Sequence, residues 1–160
     1  MKNKYIVLLF PKSGRYDQEI NDLPLSLLFA SRVCIENGYE IEIIDQRVDS
    51  DWEKDLKECA KKNPLLVGIS SMTGPPIYYS LQMVAIVKEA NPEIPIVWGG
   101  IHPTICPEQT LENEYVDFVI KGYGERALYQ LAEKLLHDDK NYSKVVGLTY
   151  SHNGSIKSNP

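Results

Sequence analysis

Cysteine is scarce in this sequence and falls into no pattern. Cys34, Cys59 and Cys106 are the only three, an odd and scattered set that supplies neither a disulfide framework nor paired metal-ligand spacing. Three ordinary, semi-buried thiols in a reducing, cytoplasmic setting are expected instead. Basic charge is short as well. Lys and Arg number 17 against 22 Asp and Glu, a net charge of -5, which excludes a general nucleic-acid binder with its basic face. No apolar run is long enough to span a bilayer. The opening, Met-Lys-Asn-Lys followed by Tyr5 to Phe10, has the charge order of a secretory leader. Its apolar stretch is too short and runs into Pro11-Lys12, so it reads as a first strand. There is no Walker loop and no Ser, His and Asp set on a nucleophile elbow. No catalytic residue and no metal ligand is therefore assigned.

What is present is a chain of 160 residues, enough for one domain with a real core. Tyr5–Phe10 is apolar throughout, the pattern of a strand covered on both faces. A polar loop follows over 15–21. Asp22 is a candidate N-cap for a helix running to about Asn37, with Leu27, Leu28, Ser31, Cys34 and Ile35 on one face and Gly38 at its end. Glu40–Asp45 alternates and suits an edge strand. Ser50 or Asp51 can cap a helix from Trp52 to Lys62, and Leu65–Ile69 is a third strand. Pro75-Pro76 opens a helix to about Ala90 whose apolar positions include Ile77, Leu81, Val84 and Ala85. Ile94–Trp98 is a fourth strand, Pro107–Leu111 one or two helical turns, and Asp117–Ile120 a short fifth strand. A last helix reaches about Leu136, with Ala127, Leu128, Leu131, Ala132 and Leu135 on one face. Beyond His137 the composition turns polar. Val145–Tyr150 reads as a strand and His152-Asn153-Gly154 as a hairpin turn.

Strands alternating with helices give a doubly wound α/β domain over 1–137, with a hairpin or linker over 138–160. The order 2-1-3-4-5 places the alternating second strand and the short fifth strand at the edges of a five-stranded parallel sheet. Ligands in such sheets bind outside the carboxyl ends of the strands where the order reverses. Here that point lies between strands one and three. Phe10 and Pro11 end the first strand there. Ser70, Ser71, Met72, Thr73 and Gly74 follow the third, with hydroxyls and N–H groups at a helix start. The fourth ends in Gly99-Gly100, which removes two side chains, and continues into a loop of Ile101, His102, Pro103 and Thr104. Together these stretches leave a slot above the sheet. His102 is open to three uses: a metal or cobalt ligand, a polar contact or a loop residue. Gly122-Tyr123-Gly124-Glu125-Arg126-Ala127 has the dinucleotide spacing, yet it follows the fifth strand and no acidic strand comes after it. It reads as a tight turn bordering the slot, with Glu125 well placed at a helix start. A receiver domain would need acidic residues after strand one and an Asp after strand three, where Phe10-Pro11 and Ser70-Ser71 stand. Pro11-Lys12-Ser13-Gly14 is a poor flavodoxin phosphate loop.

Several segments, in order, cover nearly the whole chain: Leu23–Ser31, Gly38–Asp45, Val67–Gly74, Val97–Thr104, Pro107-Glu108 and Gly122–Glu125. Together they resemble the N-terminal cobalamin-binding domain of cobalamin-dependent radical S-adenosylmethionine enzymes, in the subgroup of the anaerobic magnesium-protoporphyrin monomethyl ester cyclase. The resemblance implies a flavodoxin-like, Rossmann-like fold and a corrinoid over the strand ends, its nucleotide tail in the slot. It implies that Ser70 and Ser71 bond the tail and that Gly99 and Gly100 leave it room. Ile101 to Thr104 and Gly122 to Glu125 would border tail or ring, with Leu25, Ser26 and Leu27 near the ring's rim. Two departures shape the expectation. The Asp-x-His-x-x-Gly loop of methionine-synthase-type domains has no counterpart in Phe10–Gly14, so a bound cobalamin would be base-off without that histidine. The Cys-x-x-x-Cys-x-x-Cys motif that holds an iron–sulfur cluster is also absent. The resemblance therefore implies a module that does not catalyse alone. Its partner would be a C-terminal radical S-adenosylmethionine domain with a 4Fe–4S cluster and S-adenosylmethionine. A ligand-free docking domain of the same fold, and a nucleotide binder using the Gly122 turn, are the alternatives.

Overall fold

The computed structural model describes residues 3–14, 17 and 22–160. The polar loop expected over 15–21 lies, apart from Asp17, outside them. A seven-stranded sheet runs β2-β1-β3-β4-β5-β6-β7. Its strands are β1 (Tyr5–Phe10), β2 (Glu40–Asp45), β3 (Leu66–Ser70), β4 (Ile96–Gly99), β5 (Phe118–Ile120), β6 (Leu148–His152) and β7 (Ser155–Ser158). The first five are parallel in the order 2-1-3-4-5. The hairpin β6–β7 joins antiparallel beside β5, which is therefore not an edge. Its turn needs positive φ at both central residues, and Asn153 (51°) and Gly154 (73°) supply it.

Alternation along the strands sends Ile6 and Leu8 to one face and Val7 and Leu9 to the other. The first pair packs with α1 (Leu25–Glu36) and α6 (Glu125–Leu136), the second with α2 (Trp52–Lys61) and α3 (Pro75–Ala90). The expected buried face of α6 is the observed one. On α1 it is narrower: Leu27, Ser31 and Cys34 are buried, whereas Leu28 and Ile35 are exposed. On α3 the buried stripe is Pro76, Ser80, Met83, Val84 and Val87, rotated from the expected one.

Three local expectations are corrected. Asp22 does not cap α1, which begins after Pro24; its carboxylate binds Arg47 instead. Asp51 holds the N-cap position of α2 without a side-chain cap bond. The loop expected at Ile101–Thr104 is a short helix, α4 (Ile101–Ile105), followed by α5 (Pro107–Leu111). Pro103 is tolerated there because the first helical turn has no intrahelical use for its missing N–H.

Candidate functional site

Register places the site. Leu8 on β1 pairs with Gly68 on β3, and Gly68 with Val97 on β4. Two residues further along the same face, Ser70 pairs with Gly99. Each row therefore contains one glycine, and the sheet carries a trough at its C-terminal end, between α1 and α6. The trough is a pocket of about 490 Å³ lined by Leu8, Leu27, Ala30, Gly68, Val97, Gly99, Ile120 and Leu128, with Ser26, Phe29, Ser70, Gly100 and Gly122–Glu125 also in its wall. That volume lies within the roughly 300–1,000 Å³ of small-molecule sites. It opens where the strand order reverses, as the topology requires.

The two glycines of the Gly99-Gly100 pair serve different ends. A Cβ on Gly99 would meet nothing closer than Ile120 O at 3.8 Å, so the missing side chain is open space for a ligand. A Cβ on Gly100 would stand 2.6 Å from Ser71 O and 2.9 Å from Ser71 N, at φ +100°. Gly100 is thus required by the protein's own backbone.

Consecutive residues on a strand point to opposite faces, and this separates Ser70 from Ser71. Ser70 Oγ and Ser26 Oγ, both in the pocket wall, are hydrogen-bonded to each other at 3.1 Å. Ser71 is fully buried outside it. Its N–H donates to Gly99 O (2.9 Å) and its carbonyl accepts from His102 N–H (3.2 Å). Of the two predicted serines, Ser70 lines the pocket and Ser71 does not, and Ser26 joins Ser70 there. Thr104 Oγ1 donates to Gly100 O (2.7 Å) and accepts from Gly122 N–H (2.9 Å), so it ties α4 to the β5–α6 turn. His102 Nδ1 lies 3.2 Å from Thr73 Oγ1, linking α4 to the loop after β3.

Of the other predicted residues, Phe10, Pro11, Leu25, Met72, Gly74, Ile101 and Pro103 do not line the pocket, whereas Tyr123 and Glu125 do. Met72, Ile101 and Leu25 are exposed apolar side chains, Pro103 and Pro11 are buried, and Gly74 (φ +107°) starts α3. Phe10 lies beneath the Arg47 guanidinium, 4.2 Å from its centre. Tyr123 is almost wholly exposed at the rim. Glu125, the first residue of α6, lies 3.9 Å from Arg32 Nε. The first-turn N–H groups of α6 have no intrahelical acceptors and lie at this rim.

The loop after β1 is closed on itself. The Asp17 carboxylate accepts from Ser13 and Gly14 N–H, and Gln46 Oε1 from Lys12 N–H. Among the described residues no cluster of His, Cys, Asp or Glu could hold a metal, and no helix is long and apolar enough to cross a membrane. Sequence reading missed Leu8, Gly68, Phe29, Ala30, Ile69, Val97, Ile120 and Leu128. Gly68 was findable, since a glycine inside an apolar strand marks a close approach.

The pocket suits a group with an apolar end and polar atoms near Ser26 and Ser70, its lining being mostly apolar. A family model described as the B12 binding domain matches residues 22–132. The chain is 30% identical over 139 residues to the uncharacterized methyltransferase PH0819 of Pyrococcus horikoshii, covering 86% of this chain and 30% of that protein. It is also 30% identical over 139 residues to the anaerobic magnesium-protoporphyrin IX monomethyl ester cyclase of Synechocystis sp., covering 83% of this chain and 27% of that one. The chain thus spans under a third of either relative. Among solved structures, the radical S-adenosylmethionine methyltransferase TsrM of Kitasatospora setae, with cobalamin and a 4Fe–4S cluster bound, shares the fold. Its TM-score is 0.83 at 20% identity, over 99% of this chain and 29% of that one.

Proposed function

The chain belongs to the B12-binding domain family, and from that premise we propose that it is the corrinoid-holding module of a larger radical S-adenosylmethionine enzyme. One observation carries the reading: Gly99 leaves its Cβ direction open at the end of β4, in a pocket between α1 and α6 that Gly68 also lines. The nucleotide tail of a corrinoid would enter it. The Ser26 and Ser70 hydroxyls at its mouth offer the tail hydrogen bonds. Gly122 to Glu125 would border the tail, and Met72, Ile101 and Leu25 give the ring apolar surface at the strand ends.

A bound corrinoid would be base-off, with no histidine from the first loop. That loop carries none, and its backbone is already held by Asp17 and Gln46. Of the three histidines, His137 ends α6, about 18 Å along the helix from its mouth end. When bound, a corrinoid supplies a cobalt centre for methyl or electron transfer. This chain's residues bind and orient it, and no group among them carries the reaction. The rest of the parent enzyme, with its 4Fe–4S cluster and S-adenosylmethionine, would cover the ring and the exposed apolar side chains Leu28, Phe29 and Ile35 of α1.

Titration with hydroxocobalamin, followed by visible absorption, tests this. A saturable shift to a base-off spectrum is expected. No perturbation up to about 1 mM, where binding would be worth under about 4 kcal/mol, would return the chain to a ligand-free docking domain.

A further inference from the structure

The pocket is divided by polarity. Its polar side chains, Ser26, Ser70, Tyr123 and Glu125, all sit at the ends of elements, in the upper row or the rim. Below them the wall is Leu8, Gly68, Val97, Leu27, Ala30 and Leu128, which have no side-chain donor or acceptor. The main chain there is equally committed. Leu8, Gly68 and Val97 lie inside paired strands, and Ala30 and Leu128 inside helices. A polar group reaching the lower row would lose water and find no partner.

Resting on the corrinoid reading, we infer that this site selects the lower base of its corrinoid. It takes an apolar benzimidazole and discriminates against purine bases. A dimethylbenzimidazole base brings methyl groups and a single unsubstituted ring nitrogen, which the Ser26–Ser70 pair can satisfy at the mouth. Adenine adds further ring nitrogens and an exocyclic amino group. Those would be left unpaired against Leu8, Val97 and Leu128. Leu8 packs over Gly68, where a Cβ would come within 2.7 Å of Leu8 Cδ2, so the lower row is closed there by an apolar side chain.

The experiment compares three probes on the unmodified chain by equilibrium titration: hydroxocobalamin, its adenine-bearing analogue, and cobinamide, which lacks the nucleotide tail. Cobalamin is expected to bind about tenfold or more tighter than the adenine analogue, and cobinamide more weakly than cobalamin. The near-isosteric Val97→Thr, which places a hydroxyl in the lower row, is expected to narrow the gap between the two bases. Equal or tighter binding of the adenine analogue overturns the selectivity while leaving corrinoid binding intact. Cobinamide binding as tightly as cobalamin also overturns it, because the tail then contributes nothing. Failure of all three probes to bind overturns the corrinoid reading itself.

Discussion

Gly99 and Gly100 make a controlled experiment within one dipeptide. Gly99 has no positive φ and an open Cβ direction, so Gly99→Val should fold normally, a β-branched side chain being welcome in a strand. Its isopropyl group would stand in the trough, and hydroxocobalamin titration should show at least about a tenfold loss of affinity. Gly100→Ala should do the reverse. Its Cβ meets backbone atoms that cannot rotate away, at a φ that L residues rarely adopt. Urea denaturation should show a loss of about 2 kcal/mol or more. If both variants lost stability equally, or Gly99→Val bound cobalamin normally, the assignment of the trough would fail. The dipeptide was legible from sequence as a close approach, but not which glycine faces a ligand and which a neighbouring strand. That division depends on Ser71, which is 28 positions away from Gly99 and reaches it only through the β3–β4 register.

At the scale of the element, the pocket depends on where α1 enters. Arg47, only 6% exposed at its side chain, donates to both oxygens of Asp45 and to Asp22, and covers the Phe10 ring. It thereby ties the ends of β1 and β2 to the segment leading into α1. Asp22, at 64% exposure, adds little alone, whereas Asp45 at 11% would be left buried and unpaired. Arg47→Ala is therefore expected to cost about 3 kcal/mol in urea denaturation and to weaken cobalamin binding through a loosened α1 wall. Arg47→Lys should recover only part of this, since Lys cannot span both Asp45 oxygens. A variant as stable as the parent would remove this role. Elements with a strong hydrophobic period, such as α6, were legible down to their buried positions. α1 was not, because its apolar residues surround the helix. Only the third dimension shows that Leu28 and Ile35 face outward. Likewise α4 read as a loop because a proline three residues after a glycine pair signals a turn, and only the geometry shows it inside the first helical turn.

Taken as a whole, the molecule is polarised along its strands. The C-terminal ends hold the trough, while the N-terminal ends hold buried neutral acids. Tyr5 opens β1 and donates to Glu42; Tyr39, just before β2, donates to Glu133 at 2.6 Å. Burial foremost, then Cys59 and Glu42 for Tyr5 and Glu133 for Tyr39, raises both phenols well above the ordinary tyrosine range. At the same end burial pushes the Cys34 thiol up to about 12 and that of Cys59 to about 11. These four acids are neutral in the fold and titrate at lower pH once unfolded. Their contribution is therefore complete below the unfolded thiol value of 9.0 and is lost as pH rises through the folded values. Each thiol forfeits about 1 kcal/mol by a pH of about 10. The urea midpoint should accordingly stay level from about pH 6 to 8 and fall above about pH 9, with Cys34→Ala showing a shallower alkaline fall from a lower plateau. Cys106, the only partly exposed thiol of the three, should react first with a disulfide reagent in the native protein, with Cys34 and Cys59 following only on unfolding. A midpoint level through pH 10, or three thiols reacting at one rate, would mean that the N-terminal end of the sheet is open to water. No sequence pattern marks this end, since Tyr5 reaches Cys59 on one face of the sheet and Tyr39 reaches Glu133 beside Cys34 on the other only once the strands pair and the helices close over them.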